Sequence, residues 1–218
     1  MKKTDQPSSE PLPESKNLRR TSISADELID AALKILGPNR SISTLGLREI
    51  SRQAGIAPNS FYRHFHDVDE LAIVLIKRAG NELRSVIGNA RKQVLRPDSV
   101  VETSMQVFMQ QLNAEKGYLK FLLREGRVGS NAFKAAIEQE LAFFESELQA
   151  DLINLERQQG NDIYAPSLAA KAITRLTFEM GAVAAELDTA GQQKILADTV
   201  IMIQMIICGA RMMSIKPD

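Results

Sequence analysis

The segment from Leu47 to Phe65 constrains the fold of this chain more than any other part of the sequence. Leu47, Ile50 and Ala54 recur at helical spacing and form one apolar stripe. Gly55 follows directly, at a point where a helix end needs the left-handed backbone that glycine adopts without steric cost. The pattern predicts a short helix that ends in a tight turn.

A second short helix is predicted after that turn. Pro58 suits its first turn, because the missing N–H of proline has no intrahelical role there. Phe61 and Phe65 share an inner face. The other side chains are short polar groups, a phenol, a guanidinium and an imidazole, which is the chemistry of contacts to DNA grooves and phosphates. We therefore predict a helix-turn-helix motif that binds DNA; the alternative is a helical corner with a polar outer surface.

The distribution of charge favours DNA binding. Residues 40–66 contain four basic residues and one acid, a net charge of +3 with the histidines neutral. Residues 97–164 contain six basic residues and eleven acids, a net charge of −5. The whole chain has a net charge of zero, so its basic part coincides with the predicted motif. This polarity predicts association with a polyanion.

The polar side chains of the motif divide into candidates for base contact and candidates for phosphate contact. The second helix is expected to lie closest to the base edges, and the start of the first helix close to phosphate. The candidates for base contact are Asn59, Ser60 and Tyr62, and the candidates for phosphate contact are Thr44, Arg48, Arg63 and His64.

Residues 1–20 are predicted to form a disordered basic arm. They contain three prolines, several serines and a short basic cluster, without an apolar core. Arg19 and Arg20 are candidates to reach phosphate or the minor groove beside the motif. A solvated tail is the alternative.

The rest of the chain has helical periodicity and no convincing strand pattern. Several helix starts are predicted from capping residues. Ser24 and Glu27 form a capping box at the first, Asp67 caps a helix of residues 68–96, and Ser99 and Glu102 form a second capping box. Ser130 is predicted to cap a helix with an unbroken apolar seam to Leu155. Pro166 should start a helix ending near Asp188, and Gly191 should precede the last one, ending near Ser214.

The expected fold is therefore all-α, with about nine helices. A three-helix DNA-binding domain is predicted over residues 21–66, and a helical ligand-binding and dimerisation domain over residues 67–218. The walls of its pocket would come from pliable Met and Phe side chains, which suit an elongated apolar ligand. The pocket candidates are Met105, Phe108, Met109, Phe121, Leu122, Phe133, Phe144 and Phe178; each could instead be packed core.

The last helix is apolar nearly all round between Ile195 and Ile207. Such a helix must be covered on more than one side, most simply by a second copy about a two-fold axis. Complete burial within one subunit is the alternative. The longer apolar run from Ile195 to Ala210 is broken by Asp198 and Gln204 and falls short of the roughly 20 residues that a membrane span needs, so no membrane contact is expected. Cys208 within it is expected to be a small buried hydrophobe.

Other classes of protein are disfavoured. The two histidines lie in the motif, the single cysteine lies in an apolar helix, and no metal-ligand cluster or nucleophile motif is visible, so no enzyme, metal or cofactor is expected. A single cysteine indicates a reducing compartment and no secretory signal is visible, which predicts a cytoplasmic protein. A helical interaction protein that does not bind DNA is a distant alternative.

The motif resembles a known family. The stretch from Ser43 to Ile50, the pair Ala54-Gly55 and the run Phe61-Tyr62-Arg63-His64-Phe65 resemble the N-terminal signature of the TetR family of bacterial transcriptional repressors. The resemblance covers residues 22–75. Residues 55–65 and 121–125 further resemble the FabR-type branch, which represses unsaturated fatty-acid synthesis, and this likeness extends more thinly to Leu155.

The resemblance implies a dimer that binds a palindromic operator and pairs its last two helices in a four-helix interface. It further implies control by a long-chain acyl thioester, either acyl-CoA or acyl carrier protein, and regulation of fatty-acid synthesis genes. Arg124 and Arg127 are candidates to meet the phosphates of such a thioester; an ion pair with Glu125 or a surface position is the default alternative. A repressor of efflux or catabolic genes that responds to another apolar small molecule is the alternative.

Overall fold

The computed structural model describes residues 23–37, 40–93 and 99–214. Those residues form helices joined by turns and loops, with no strand, so the predicted all-α class is confirmed. They contain one 3-10 helix, Ile42–Thr44, and nine α-helices. The α-helices are α1 (Ala25–Leu36), α2 (Leu47–Gln53), α3 (Pro58–Phe61), α4 (Val68–Gln93), α5 (Val100–Leu112), α6 (Tyr118–Val128), α7 (Asn131–Gln158), α8 (Pro166–Ala184) and α9 (Thr189–Ser214).

The capping box at the start of α1 is confirmed. The Ser24 hydroxyl accepts a hydrogen bond from the backbone N–H of Glu27, and the Glu27 carboxylate accepts one from the backbone N–H of Ser24. Leu28 and Ala32 are fully buried on the inner face of the helix. α1 therefore starts at a fixed residue and supports α2, against which it packs.

The predicted helix-turn-helix is present. Gly55 has a φ of 71° in the turn, and Pro58 is the first residue of α3. Phe61 and Phe65 are buried, with ring centroids 5.8 Å apart. α3 is shorter than predicted, since its α-helical part ends at Phe61. The N–H of Phe65 still donates to the Phe61 carbonyl at 3.2 Å, so residues 62–64 form a further helical turn.

α4 connects this motif to the rest of the molecule. Its 26 residues give a length of about 39 Å, and it packs against α5, α6 and α7. The Asp67 carboxylate accepts from the N–H of Glu70 at 2.8 Å, which confirms the predicted cap. The predicted end of the helix at Arg96 lies outside the described residues.

The capping box predicted for α5 is wrong. Ser99 precedes the helix with φ and ψ of −97° and 0°, and its side chain accepts no capping hydrogen bond. A capping serine needs an extended backbone. Ser130 before α7 has that backbone, with ψ of 165°, and its hydroxyl accepts from the N–H of Phe133 at 3.3 Å as predicted.

The C-terminal helices form a bundle in which α7 packs on α4 and α8, while α9 packs on α5 and α8. The predicted apolar seam of α7 is confirmed, since Phe133, Phe144 and Leu152 are buried along it. One hydrophobic core runs continuously from α1 to α9. The division into domains at residues 21–66 and 67–218 remains a prediction.

The boundary between α8 and α9 differs from the predicted one. α8 ends at Ala184, before Asp188, and α9 begins at Thr189, so Gly191 lies inside its first turn. The Asp188 carboxylate accepts from the N–H of Gly191 at 2.8 Å. Aspartate is among the strongest N-caps, and it defines the start of α9 in place of the glycine.

α9 is poorly covered by its own subunit. It has 26 residues, and by length and apolar composition alone it could cross a membrane, which the shorter apolar run in the sequence did not indicate. Only 17% of its most apolar 18-residue stretch is buried. Cys208 is exposed, so its predicted burial is wrong for the single chain. The side of α9 that faces away from α5 and α8 is therefore exposed and could pack against another molecule.

Gly80 allows α4 and α7 to approach closely. A methyl group at this position would overlap the carboxylate of Glu140, a buried side chain that binds Arg84. Gly80→Ala should therefore lower the free energy of unfolding by about 2 kcal/mol, measured by urea denaturation, although alanine is the better helix former. Gly88→Ala is the matched control, because its new methyl would meet nothing closer than Arg91 at 3.8 Å. Equal effects of the two substitutions would contradict this account.

Candidate nucleic-acid interface and ligand cavity

The predicted contact residues around α3 lie on the outside of the molecule. Asn59, Tyr62 and Arg63 are exposed, and Ser60 and His64 are half-buried. Tyr62 has 60% of its surface exposed while its ring packs edge-on against buried Phe61 at 6.0 Å. The buried phenylalanines thus orient the short helix and leave its polar side facing solvent.

Exposed arginines accompany this polar side. Arg48, Arg52 and Arg63 make no ion pair within the described residues. Arg40 instead binds Glu49 with two hydrogen bonds, at 2.8 and 3.2 Å. The hydrogen bond from Arg40 lowers the pKa of Glu49, which keeps that acid ionised and paired.

The net charge of the motif therefore resides on exposed arginines of α2 and of the turn after α3. We call five exposed side chains here the reading surface. It consists of Arg48, Arg52, Asn59, Tyr62 and Arg63.

The remaining predicted contacts are placed differently. Thr44 is exposed, but it ends the 3-10 helix and is not part of α2; its hydroxyl donates to the Ser41 carbonyl at 2.7 Å. Arg48 lies in the first turn of α2, as predicted. Arg19 and Arg20, with the predicted arm of residues 1–20, lie outside the described residues.

An apolar cavity of about 100 Å³ lies among α4, α5, α7, α8 and α9. Four of the predicted pocket residues line it: Met105, Phe108, Phe144 and Phe178. The Phe178 ring is at the centre of this wall, 5.7 Å from the ring of Phe108 and 5.3 Å from that of Phe144. The structure thus brings these four residues, from the three helices α5, α7 and α8, into one apolar wall.

The other predicted pocket residues do not line this cavity. Met109, Phe121, Leu122 and Phe133 are buried in the surrounding core, and Arg124 lies on a separate surface groove. Sequence reasoning missed the contribution of Ile203 and Ile207 from α9, although that helix was recognised as apolar all round. It also missed the C-terminal half of the apolar seam of α7. The missed lining residues include Ile87, Val101, Leu148, Leu152, Leu155 and Ile173.

Polar groups at the cavity are few. Arg91 lines it and binds Asp151 at 2.7 Å, with only 11% of the arginine side chain exposed. The hydroxyl of Ser104 donates to the Val100 carbonyl at 2.6 Å. Within the described ranges, no three His, Cys, Asp or Glu side chains come together as a metal site. The cavity can therefore bind an apolar body with one ionic contact at its edge.

A buried carboxylate joins α6 to the helix-turn-helix. Glu125 is fully buried and accepts from the backbone N–H of Ile42 at 3.1 Å and from the hydroxyl of Ser41 at 2.8 Å. The sequence suggested Glu125 only as an ion-pair partner of Arg124, and that contact is present at 3.4 Å. Glu125 instead fixes the 3-10 helix that leads into α2.

No family model matches the chain. Solved structures with the same fold include the fatty acid degradation regulator FadR from Bacillus halodurans, at 17% sequence identity and a TM-score of 0.65, covering 86% of this chain and 96% of that one. FadR from Bacillus subtilis, solved in complex with stearoyl-CoA, shares 16% identity with a TM-score of 0.65, covering 85% and 99% of the two chains.

A third similar structure is AibR, solved in complex with isovaleryl coenzyme A and operator DNA. It shares 12% identity with a TM-score of 0.60, covering 82% of this chain and 97% of that one. At these identities the likeness concerns the fold, over 82–86% of this chain and nearly the whole length of the other three. The chain has the all-helical fold of these transcriptional regulators.

Proposed function

We propose that the protein is a DNA-binding transcriptional regulator whose reading surface enters the major groove. The observation that carries this proposal is the outward polar side of α3, held by buried Phe61 and Phe65 and flanked by unpaired arginines of the described region. The fold shared with regulators, one of them solved on operator DNA, supports it. Tyr62 and Asn59 would contact bases, and Arg48 and Arg63 phosphates.

The proposed active form is a homodimer through α8 and α9. Exposed apolar residues of α9 recur at helical spacing on one face: Ile201, Met205, Cys208 and Met212. On α8, the other helix of the proposed interface, Leu168 and Val183 are also exposed. A two-fold axis through such a surface would present two reading surfaces about 34 to 36 Å apart, which fits a palindromic operator.

The proposed effector is a long-chain acyl thioester, and the proposed targets are fatty-acid synthesis genes. The apolar cavity and the acyl-CoA ligands of two similar structures support the thioester, and the resemblance to the FabR-type branch supports the target genes. The second candidate is a regulator of efflux or catabolic genes that responds to another apolar molecule, which the apolar cavity wall would equally accept.

The small volume of the cavity suggests how the effector would change the conformation of the protein. Its volume of about 100 Å³ is below the roughly 300 to 1,000 Å³ of typical ligand pockets, so a long chain must move the lining helices. Nearly complete switching between two states needs about 5.5 kcal/mol of differential affinity. At about 0.8 kcal/mol per buried CH₂, about seven methylenes covered in one state alone supply this.

We further infer a cytoplasmic protein without enzymatic activity. The regulators that share its fold act on DNA, and the reading surface would have to meet DNA in the same compartment. The apolar face of α9 is assigned to a second subunit in this proposal and not to a membrane.

Replacing Tyr62 tests the proposal directly. Tyr62→Ala should weaken binding to a duplex selected from random DNA by about a hundredfold, since each lost base contact contributes about 1 to 3 kcal/mol and the dimer loses two. Nonspecific, salt-sensitive binding should remain, because phosphate contacts are unchanged. Gel-shift titrations at several salt concentrations measure both.

His66→Ala is the matched control, because His66 is exposed next to the same motif but outside the reading surface. It should leave affinity for the selected duplex within about twofold, an energy smaller than one base contact. Unchanged affinity in Tyr62→Ala, with circular dichroism showing a folded protein, would refute the assignment of the reading surface. No selectable duplex for the unmodified protein would refute the regulator itself.

A further inference from the structure

A basic groove of about 300 Å³ runs between α6 and α8 on the surface. Lys120, Arg124 and Arg127 line it, against one acid, Glu186. Its floor includes Leu123, which is buried. The groove thus combines an apolar floor with three guanidinium or ammonium groups, a combination suited to an anionic group attached to an apolar chain.

The groove and the apolar cavity are neighbours across the contact of α6 with α8. A Cβ atom on Gly181 of α8 would lie 2.6 Å from the Phe108 ring, which lines the cavity, and 3.6 Å from Leu123, which lines the groove. Glycine therefore brings the α8 backbone against both side chains. One elongated molecule could occupy both spaces by displacing the side chains of Phe108 and Leu123.

Two of the three cations of the groove, Lys120 and Arg127, are available to an anion. Lys120 makes no ion pair within the residues that the structure describes. Arg127 binds Glu179 at 2.7 Å, but both side chains are about half exposed or more, so this pair contributes little free energy and can be exchanged. A phosphate, with several acceptor oxygens and a double charge, is a stronger partner for both.

Arg124 connects the groove to the helix-turn-helix. Its side chain donates to the Gly37 carbonyl at the end of α1, at 3.3 Å, and contacts the Glu125 carboxylate at 3.4 Å. Glu125 in turn holds the N–H of Ile42 and the hydroxyl of Ser41. A shift of Arg124 towards the groove would remove its bond to the Gly37 carbonyl and leave the buried Glu125 carboxylate without its counter-charge, which favours the departure of that carboxylate from Ile42 and Ser41.

We propose that the groove binds the phosphates of a coenzyme A thioester whose acyl chain enters the cavity, and that Arg124 transmits this binding to the helix-turn-helix. The inference rests on the proposed function for the acyl chain. What it adds to the proposed function is the site that binds the phosphates and the residue that transmits binding to the helix-turn-helix.

Calorimetric titration of the full-length protein tests the location. Palmitoyl-CoA should bind at least tenfold more tightly than palmitate, and free coenzyme A should bind measurably on its own. Lys120→Ala should weaken both coenzyme A ligands by about tenfold and leave palmitate unchanged. Lys134→Ala, an exposed lysine of α7 outside the groove, is the matched control and should change none of them.

Hydrogen exchange of residues 40–46 tests the transmission without DNA. Palmitoyl-CoA should speed exchange of the Ile42 amide, because that amide loses its bond to Glu125, whereas palmitate should not. Arg124→Lys keeps the charge for the groove but cannot hold the Gly37 carbonyl and the Glu125 carboxylate together in the unliganded protein, since an ammonium lacks the planar fork of donors. It should bind palmitoyl-CoA with the exchange response abolished.

Different results would contradict the groove assignment, the transmission through Arg124 and the proposed function. Absence of coenzyme A binding, or equal effects of Lys120→Ala and Lys134→Ala, would overturn the groove assignment even if palmitate binds. An unchanged exchange response in Arg124→Lys would overturn the transmission. Failure to select a DNA duplex would overturn the regulator and leave the groove measurements standing.

Discussion

A protein carrying Ile201→Glu together with Met205→Glu should be a monomer at micromolar concentration and should lose its affinity for the operator. These side chains are 49% and 66% exposed on α9 of the single chain, one turn apart on the same face. In a two-fold interface each substitution occurs twice, so four carboxylates would be taken out of water without partners. Unpaired buried charges are strongly unfavourable, and the dimer should weaken by about 4 kcal/mol, or about a thousandfold.

Sedimentation velocity measures the loss of the dimer, and gel-shift titration measures the loss of bivalent operator binding, which should exceed a hundredfold. Val86→Glu is the matched control, since Val86 is 38% exposed on α4, outside the proposed interface, and this variant should remain dimeric. If the double variant sediments as a dimer, the α8–α9 interface is wrong. If the unmodified protein is a monomer that partitions into lipid vesicles, the apolar face of α9 serves a membrane instead.

Glu125→Ala should lower the free energy of unfolding by about 3 kcal/mol and weaken operator binding as well. The substitution leaves the N–H of Ile42 and the hydroxyl of Ser41 without their acceptor and removes the counter-charge of Arg124. Removing one partner from a buried, charged hydrogen-bond network is expected to have an effect of this size. The 3-10 helix before α2 would then be held less firmly, and the reading surface with it.

Urea denaturation followed by circular dichroism measures the first effect. Glu138→Ala provides the comparison, because Glu138 forms an exposed pair with Arg175 at 2.7 Å and should contribute less than about 1 kcal/mol. A loss below about 0.5 kcal/mol for Glu125→Ala would mean that water replaces the carboxylate, since surface substitutions fall within that range. The link between α6 and the helix-turn-helix would then lose its energetic basis.

The helix-turn-helix could be predicted from the sequence because its determinants are local. Ser24 and Glu27 meet within one turn, Gly55 has the required positive φ, and Pro58 begins the second helix. Each of these contacts spans only a few residues, so its geometry follows from spacing alone. Where the local backbone deviated, as at Ser99 before α5, the same reasoning failed.

The cavity was predicted only in part, for a physical reason. Helical periodicity identifies the inward side of a helix, but it does not say which inward side chains meet each other and which border empty space. Phe144 and Phe133 lie on one seam of α7, yet only Phe144 lines the cavity. The position of the cavity depends on how α4, α5, α7, α8 and α9 pack against one another at the same level of the bundle.

The amino-acid sequence alone determined the helices, several of their starts, the buried Phe61 and Phe65 and the location of positive charge, because capping, turn geometry and periodicity act between near neighbours in the chain. The tertiary structure alone decided that Glu125 reaches Ser41, 84 residues away, and that the groove and the cavity meet at Gly181. Contacts over such separations depend on the angles and distances at which helices pack. No local spacing in the chain encodes them.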